Sequence, residues 1–446
     1  MESRFSGSTL ADTISIADVS SASDDSQQPV RVPAKSTWRM FREVLDHAGP
    51  GYLQFAITNI CNAKCDFCNF AVDRFDPRQH RSVTLTQARD VIEIARRNHI
   101  GYLLFQGGEP LVHKDLPAMV RSCAEAGIYP LICTNGSLWT DRNIREFVDN
   151  GLSSVIMSID AHDVRTHEEN RGLRDLCRKI QRANALFASL GVQTTASVTA
   201  SKLIEDYRKL PAFLRSLGFE SCTFSYPLTF LPSSFLSFSD SNLVSYTTGE
   251  LIGVFEKIKQ MKSESGFPVV NPTESLSEMQ RHLRREPERF GCLAGYKYFY
   301  LDWNLNLYRC HAWEKPMCSI YDFDESKLVR DGCTRCMIDC FRDSSVLQFV
   351  AISANDAYRH LKGGKVVTAA KDILDGRNLV SIRAVWEDRK WIGKTLARGR
   401  SVRKSQAEER ESPSSQAGES NQDHSLPAKV RDERPSAAPI VGASPQ

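Results

Sequence analysis

Short apolar runs alternate with amphipathic segments between residues 52 and 226. Six of these runs are apolar on both faces, which is typical of buried strands in a parallel sheet covered by helices. The amphipathic segments between them end at glycines such as Gly127, as helices commonly do. The pattern predicts an α/β fold, a partial (β/α)6 TIM-like barrel, because βα units follow one another at near-regular spacing. The predicted strands are 52–58, 102–106, 129–133, 154–159, 194–200 and 221–226.

The pattern changes after residue 226. An aromatic-rich stretch at 224–238 is interpreted as a core-packing loop, with an apolar lid over a substrate as the alternative. We expect helices over 239–263 and 273–286, a hairpin near 292–310 and a packing helix after Phe341. Both ends are rich in Ser, Asp, Glu, Pro and Gln, which predicts disorder. The predicted domains are a disordered segment 1–40, a barrel core 48–270, a small α+β cysteine-rich domain 271–345, a helical extension 346–400 and a disordered tail 401–446.

The amino-acid composition and net charge exclude several classes of protein. The chain has 446 residues, of which 41% are hydrophobic and 25% are charged, as in ordinary globular proteins. A net charge of +3 gives no case for a nucleic-acid partner, and the basic run 390–404 is interpreted as a solvated helix end. No apolar run is long enough to span a membrane, and the first residues lack a secretory signal. We therefore expect a cytoplasmic protein whose 13 cysteines are reduced.

Three cysteines follow the first predicted strand: Cys61, Cys65 and Cys68, with the spacing C-x3-C-x2-C. Structural zinc and ordinary iron–sulfur clusters each take four protein ligands. Three thiols on one loop therefore indicate a [4Fe–4S] cluster with one iron left open for a small molecule. The alternative is a zinc loop or three incidental thiols.

This loop resembles that of the radical S-adenosylmethionine (SAM) enzymes, which also have an aromatic residue before the last cysteine, here Phe67. Later strand ends resemble the family as well. They are Gly107-Gly108-Glu109-Pro110, Thr134-Asn135-Gly136 and Ser158-Ile159-Asp160. The resemblance covers roughly residues 48–270. It departs after the fifth strand, where TASKLIED lacks the asparagine often found in the family.

The resemblance implies that a reduced [4Fe–4S] cluster cleaves SAM to a 5′-deoxyadenosyl radical, which abstracts a substrate hydrogen. It implies cofactor-binding roles for Phe67, Gly107, Gly108, Glu109, Pro110, Asn135, Ser158 and Asp160. In the family the glycines let the backbone approach the methionyl amino group, and the glutamate helps to bind it. Arg171 is interpreted as part of a surface ion pair, with a SAM or substrate carboxylate as its alternative partner. An electron donor such as flavodoxin or ferredoxin is expected.

Six further cysteines lie between residues 292 and 340: Cys292, Cys310, Cys318, Cys333, Cys336 and Cys340. The segment resembles the SPASM and twitch domains that carry auxiliary clusters in radical SAM enzymes, and its shortened pattern favours one twitch-type [4Fe–4S] cluster. The expected ligands are Cys292, Cys310, Cys333 and Cys336. Cys340 is an alternative to one of the last two, and Cys318 fits least well. A second cluster and a zinc ribbon are the alternative interpretations of this segment. The other four cysteines are Cys123, Cys133, Cys177 and Cys222, which we interpret as small buried hydrophobes.

The leading hypothesis is a radical SAM oxidoreductase or synthase that acts on a small molecule, with the auxiliary cluster assisting oxidation or substrate binding. A peptide-modifying maturase is the second hypothesis. It is disfavoured because only about 50 residues precede the first strand, fewer than the leader-binding domain of about 80 residues that such relatives often carry. A zinc-dependent interaction protein is the third, and it leaves the GGEP and TNG motifs unexplained. No motif names the substrate.

Overall fold

Six parallel strands form the centre of the fold and lie side by side in the order of the sequence. The computed structural model describes residues 28–33, 35–73, 76–226 and 241–387. These strands are β1 (Gly51–Thr58), β2 (Ile100–Gly107), β3 (Tyr129–Thr134), β4 (Ser154–Ile159), β5 (Gln193–Thr199) and β6 (Cys222–Ser225). Each predicted strand matches an observed one to within two residues, because the apolar runs are the buried ones. The parallel order confirms the predicted α/β fold and partial barrel.

Helices alternate with these strands. They are α1 (Thr37–His47), α2 (Leu85–Arg97), α3 (Leu116–Glu125), α4 (Asp141–Asp149), α5 (Val164–Arg171), α6 (Leu176–Ser189) and α7 (Leu210–Ser216). Local signals set their ends: Thr84 and Gln87 form a capping box at the start of α2, which satisfies backbone N–H groups that no helical carbonyl can reach. Helix α5 was not predicted, because its sequence VRTHEENR has no apolar periodicity.

The cysteine-rich segment continues the barrel sheet. Its strands are β7 (Tyr298–Leu301), β8 (Asn306–Tyr308) and β9 (Cys318–Ser319). Strand β7 pairs in parallel with β1, with Tyr298 beside Tyr52, and forms the predicted hairpin with β8. Among the described residues one sheet therefore runs β6-β5-β4-β3-β2-β1-β7-β8-β9 and connects the barrel to the second group of cysteines.

A long helix closes the open side of the barrel. The last helices are α8 (Thr248–Ser265), α9 (Thr273–Leu283), α10 (Asp339–Lys362), α11 (Val366–Ile373) and α12 (Gly376–Glu387). Near β1, Gln348 of α10 donates hydrogen bonds of 3.0 Å to the carbonyls of Ala48 and Pro50. Near β6, Ser225 donates to Asp339 at 3.5 Å. Helix α10 thus bridges the two sides of the barrel and crosses the predicted domain boundary at residue 345.

Two predicted boundaries are wrong. Residues 37–40, predicted to be disordered, begin α1, because the Ser36 hydroxyl accepts the Arg39 N–H at 3.2 Å and caps the helix. The helix predicted from residue 239 begins at Thr248, where Thr247 supplies the cap. The predictions for most of the loop 224–238, the run 390–404 and the tail 401–446 lie outside the described residues. No helix in the described ranges is both long and apolar enough to cross a membrane.

Candidate functional site

The first three cysteines lie on the loop that leaves the carboxyl end of β1. This loop is fixed by backbone contacts: the Lys64 N–H donates to the Arg171 carbonyl at 2.9 Å. The Ala63 N–H donates to the Cys61 sulfur at 3.4 Å, a contact that stabilises a thiolate. Burial, together with the charges of neighbouring cysteines, raises the pKa of Cys61 to about 12 and raises that of Cys65 as well. Three mutually interacting thiols in a buried loop are costly to ionise unless a cationic metal centre binds them.

The two glycines after β2 hold the backbone of that strand against the start of the cysteine loop. A Cβ at Gly107 would lie 2.1 Å from the Thr58 carbonyl oxygen, and one at Gly108 would lie 2.2 Å from that of Ile60. The N–H groups of Gly108 and Glu109 donate to those two carbonyls at 2.9 and 2.8 Å. In this structure the glycines therefore serve a close approach between two segments of protein backbone.

Glu109 joins three strand ends. Its fully buried carboxylate accepts hydrogen bonds from the Thr134 hydroxyl at 2.6 Å and from the N–H groups of Asn135 and Leu111 at 2.7 and 3.0 Å. Burial raises the pKa of Glu109, although these bonds act in the opposite direction. The Asn135 amide in turn donates to Asn62, within the cysteine loop, at 2.8 Å. The GGEP and TNG motifs are thus one hydrogen-bonded unit with the loop.

Asp160, at the end of β4, forms a buried ion pair. Its carboxylate lies 2.6 Å from Nη2 of Arg171 and 2.8 Å from Nδ2 of Asn170. Burial alone raises the pKa of Asp160, but the charges of Arg171 and His167 outweigh it and the net pKa is lowered. The expected surface location of Arg171 is wrong, since the residue is 6% exposed. Helix α5 buries just two of its residues, His167 and Arg171, and so carries the arginine inward.

The remaining predicted cofactor-binding residues surround the same loop. Phe67 is buried with Cys65 and Val244 in a small apolar cluster. Pro110 is buried at the start of a short 3-10 turn after Glu109. Ser158 of β4 donates to the Thr134 carbonyl at 3.4 Å. The structure therefore brings all of these residues to the carboxyl ends of β1 to β4, as the motif order predicted.

The structure brings four of the six later cysteines together. They are Cys292, Cys310, Cys333 and Cys336, whose charges act on one another. The Cys292 N–H donates to the Cys333 carbonyl at 2.8 Å. Three of the four sulfurs accept an N–H from the residue two positions ahead, and the donors are Ala294, Ala312 and Ile338. Such bonds stabilise thiolates, the form in which cysteine binds metals.

The other two cysteines of this segment lie elsewhere. Cys340 begins α10 and faces the interior of the barrel, where its sulfur is 3.5 Å from Oδ2 of Asp339. Cys318 is on β9. The predicted burial of Cys123, Cys177 and Cys222 is confirmed. Cys133 is less buried than predicted, because it lines the same interior cavity as Cys340.

The interior cavity has a volume of about 500 Å³ and is lined by residues of β1 to β6 and of α10. On one side it reaches Gln106, the residue before the GGEP motif. On the other side it reaches His311, which is next to Cys310, and Ile338, which follows Cys336 by two residues. Two acids of α10, Asp339 and Asp343, also line it. The sequence analysis missed these acids, although two carboxylates four residues apart at the start of a predicted helix lie on the same face of it and are a usable signal.

The donors are thiols, which bind both zinc and iron–sulfur clusters. Within the described ranges no three His, Cys, Asp or Glu side chains are close enough to hold one metal ion. Zinc requires its ligands within about 2.3 Å of a single atom. A multi-iron cluster separates its cysteine ligands, each of which binds a different iron. At the end of α5, next to the cysteine loop, Nε of Arg171 is buried and has no hydrogen-bond partner in the described residues, which suits a ligand carboxylate.

A parallel barrel with a three-cysteine loop after its first strand, tied to a GGEP turn, defines an iron–sulfur domain of the kind that binds SAM. Residues 55–200 match the model of the Radical SAM superfamily. This part of the chain, about a third of its length, therefore matches the domain of a superfamily of enzymes.

Similar curated proteins include GTP 3′,8-cyclase of Chlorobaculum tepidum, 29% identical over 25% of this chain and 33% of that protein. GTP 3′,8-cyclase of Vibrio vulnificus is 25% identical over 36% of this chain and 49% of that one. The matched part thus spans between a third and a half of these relatives. Among solved structures, anSMEcpe with bound AdoMet has a TM-score of 0.49, 15% identity and coverage of 79% of this chain and 100% of that one. Streptococcus suis SuiB bound to S-adenosylmethionine has a TM-score of 0.46, 18% identity and coverage of 58% and 60%.

Proposed function

We propose that this protein reductively cleaves SAM and uses the resulting radical to abstract a hydrogen from a small molecule. Cys61, Cys65 and Cys68 would hold the SAM-binding cluster. Such a cluster supplies, when bound and reduced, the electron that breaks the SAM sulfonium bond and yields a 5′-deoxyadenosyl radical. Arg171 would orient a carboxylate through its unpartnered Nε, which stands beside the loop.

The location of the cavity is the observation that carries the proposal. A cavity of about 500 Å³ inside the barrel reaches Gln106, next to the GGEP turn, and His311, next to Cys310. Its volume lies within the range of small-molecule sites, about 300–1,000 Å³. A substrate there is shielded from water by the barrel and by α10, as a radical reaction needs. An extended peptide is disfavoured, since the cavity is closed on the α10 side.

The second cysteine group would hold one auxiliary [4Fe–4S] cluster, in the manner of a twitch domain. We assign Cys292, Cys310, Cys333 and Cys336 as its ligands. The backbone donors at three of these sulfurs support the assignment. The placement of Cys340 in the cavity argues against its being a ligand. Next to the cavity, such a cluster is placed to accept an electron from the substrate or to bind it.

We do not propose the GTP 3′,8-cyclase activity of the curated relatives for this chain. A nucleoside triphosphate needs basic partners for its phosphates. No lysine or arginine lines the cavity in the described residues. We therefore favour a substrate other than GTP. The reductant would be an external donor such as flavodoxin or ferredoxin, in the reducing cytosol.

Reconstitution and single-turnover chemistry test the proposal. Full-length protein reconstituted anaerobically should bind about eight iron atoms, as two [4Fe–4S] clusters do, and should release 5′-deoxyadenosine from SAM on reduction. Replacing Cys61, Cys65 and Cys68 together by alanine should abolish that release. Cys177→Ala, a change at a buried thiol of α6, is the control and should retain it. Release that persists in the triple variant, or zinc bound in place of iron and sulfide, would refute the proposal.

A further inference from the structure

One wall of the cavity has two carboxyl groups. Asp339 and Asp343 lie one turn apart at the start of α10, and both face the cavity. Asp339 accepts a hydrogen bond from Ser225 at 3.5 Å. Asp343 accepts one from Nδ2 of Asn271 at 2.6 Å and one from the Ser275 hydroxyl. These contacts hold both carboxyl groups in place and leave acceptor capacity on the cavity side.

The phenol of Tyr226 is a third polar group of this wall and is unsatisfied. The residue is 1% exposed and lines the cavity, and its hydroxyl has no hydrogen-bond partner among the described residues. Burial raises the pKa of Tyr226, and the charges of Asp343 and Asp339 raise it further, as expected of a hydroxyl near both carboxylates. A buried hydroxyl without a hydrogen-bond partner is energetically unfavourable. Its position therefore points to a ligand that supplies the missing hydrogen bond.

The electrostatic character of the cavity is acidic. The ionisable residues that line it in the described ranges are aspartates, cysteines, tyrosines and one histidine, His311, with no lysine or arginine. The sequence of residues 227–240, which follow Tyr226, also has no lysine or arginine. The basic residue whose charge acts on Asp343 is Lys262, and its ammonium already contacts the Asn271 carbonyl at 2.8 Å and Glu387 at 2.9 Å. The cavity thus lacks a cation to balance its carboxylates.

We propose that the cavity binds its substrate through a protonated amine, which pairs with Asp339 and Asp343 and is oriented by the Tyr226 hydroxyl. The inference rests on the proposed function in taking this cavity as the substrate site. An alkylammonium has three N–H donors, and the wall offers two carboxylates and one phenolic oxygen as acceptors. Apolar residues such as Leu104 and Ile156 line other parts of the cavity and suit a carbon skeleton. Phosphate or carboxylate ligands would be repelled.

Three matched probes test the preference: cyclohexylamine, cyclohexanol and cyclohexanecarboxylate. Their dissociation constants for the anaerobically reconstituted full-length protein are measured by calorimetry and by thermal shift. We expect cyclohexylamine to bind at least about tenfold more tightly than cyclohexanol, as an added charged hydrogen bond implies, and the carboxylate to bind most weakly. Equal binding of the three probes, including no binding of any, would overturn the proposal.

Single substitutions test which residues of the wall cause the preference for the amine. Asp343→Asn should reduce the amine-to-alcohol ratio about tenfold, and Tyr226→Phe should reduce it by a smaller factor. Asp356→Asn removes a carboxylate from the same helix outside the cavity, where it pairs with Arg330, and should leave the ratio unchanged. An unchanged ratio in Asp343→Asn would also overturn the proposal. Because binding is measured without SAM cleavage, failure here is distinguishable from failure of the proposed function.

Discussion

Arg171 and Asp160 form a buried ion pair, 2.6 Å between Nη2 and Oδ1, beside the loop that bears the first three cysteines. The same arginine accepts the Lys64 N–H of that loop through its carbonyl. Arg171 therefore contacts the loop through its backbone and balances the charge of Asp160 through its side chain.

Loss of this arginine should destabilise the protein strongly. Arg171→Met leaves Asp160 charged, buried and unpaired, which costs about 3–5 kcal/mol. Urea unfolding of the apoprotein measures the change in the free energy of unfolding. Arg182→Met breaks an exposed ion pair with Asp141 at 2.7 Å and should change the free energy of unfolding far less. If the two variants are equally stable, the buried pair does not contribute as we expect.

Gly108→Ala should disrupt the cysteine loop. The added Cβ would meet the Ile60 carbonyl at 2.2 Å, so one of the two backbones must move. We expect a loss of stability of about 2 kcal/mol or more and loss of iron from the first cluster, measured by urea unfolding and iron analysis. The matched control is Gly253→Ala in α8, where no atom lies within 4 Å and alanine should stabilise the helix by about 0.5–1 kcal/mol. Normal iron content in Gly108→Ala would contradict the prediction.

Iron content should separate the later cysteines into two classes. Cys310→Ala should retain about four of about eight irons, those of the SAM-binding cluster, and still cleave SAM. Cys340→Ala should keep the full complement, because its sulfur faces the cavity. Iron analysis and electron paramagnetic resonance of the reduced proteins measure the difference. Loss of iron in Cys340→Ala would instead make it a ligand.

Asp343 should make a contribution to the stability of the apoprotein that falls as the pH rises towards neutrality. Burial and the nearby charge of Asp339 together raise the pKa of Asp343 to about 7. A carboxyl whose folded pKa exceeds its unfolded value contributes stability below the unfolded pKa of about 4, and this is lost as pH rises through about 7. Melting temperatures between pH 4 and 8 measure this slope. Asp343→Asn should flatten it, whereas Asp356→Asn should not; a slope that is the same in all three proteins would exclude Asp343 as its source.

The sequence predicted those parts of the molecule that follow from local patterns. The apolar runs located all six barrel strands, and the motif order placed Cys61, Glu109 and Asp160 at neighbouring strand ends. The inward turn of Arg171 was missed because α5 buries polar rather than apolar residues. Spacing alone grouped Cys340 with Cys336, but α10 begins at Asp339 and turns Cys340 into the cavity.

Long-range relationships were out of reach for a different reason. The four residues of β7 have no local feature that specifies β1 as their partner, since that pairing depends on the completed barrel. The cavity wall that contains Asp339 and Tyr226 could not be predicted for the same reason, because these two residues meet only when α10 crosses the end of β6.

The pairing of β1 with β7 has a consequence for biosynthesis. Tyr52 of β1 pairs with Tyr298 of β7, which is synthesised more than 200 residues later. One edge of β1 therefore stays unpaired while the rest of the barrel is synthesised. At about 5–20 residues per second this interval is on the order of ten seconds or more. An unpaired strand edge is a template for aggregation. The nascent chain is therefore most vulnerable at β1, and efficient expression should depend on slow synthesis at low temperature or on chaperones that cover this edge.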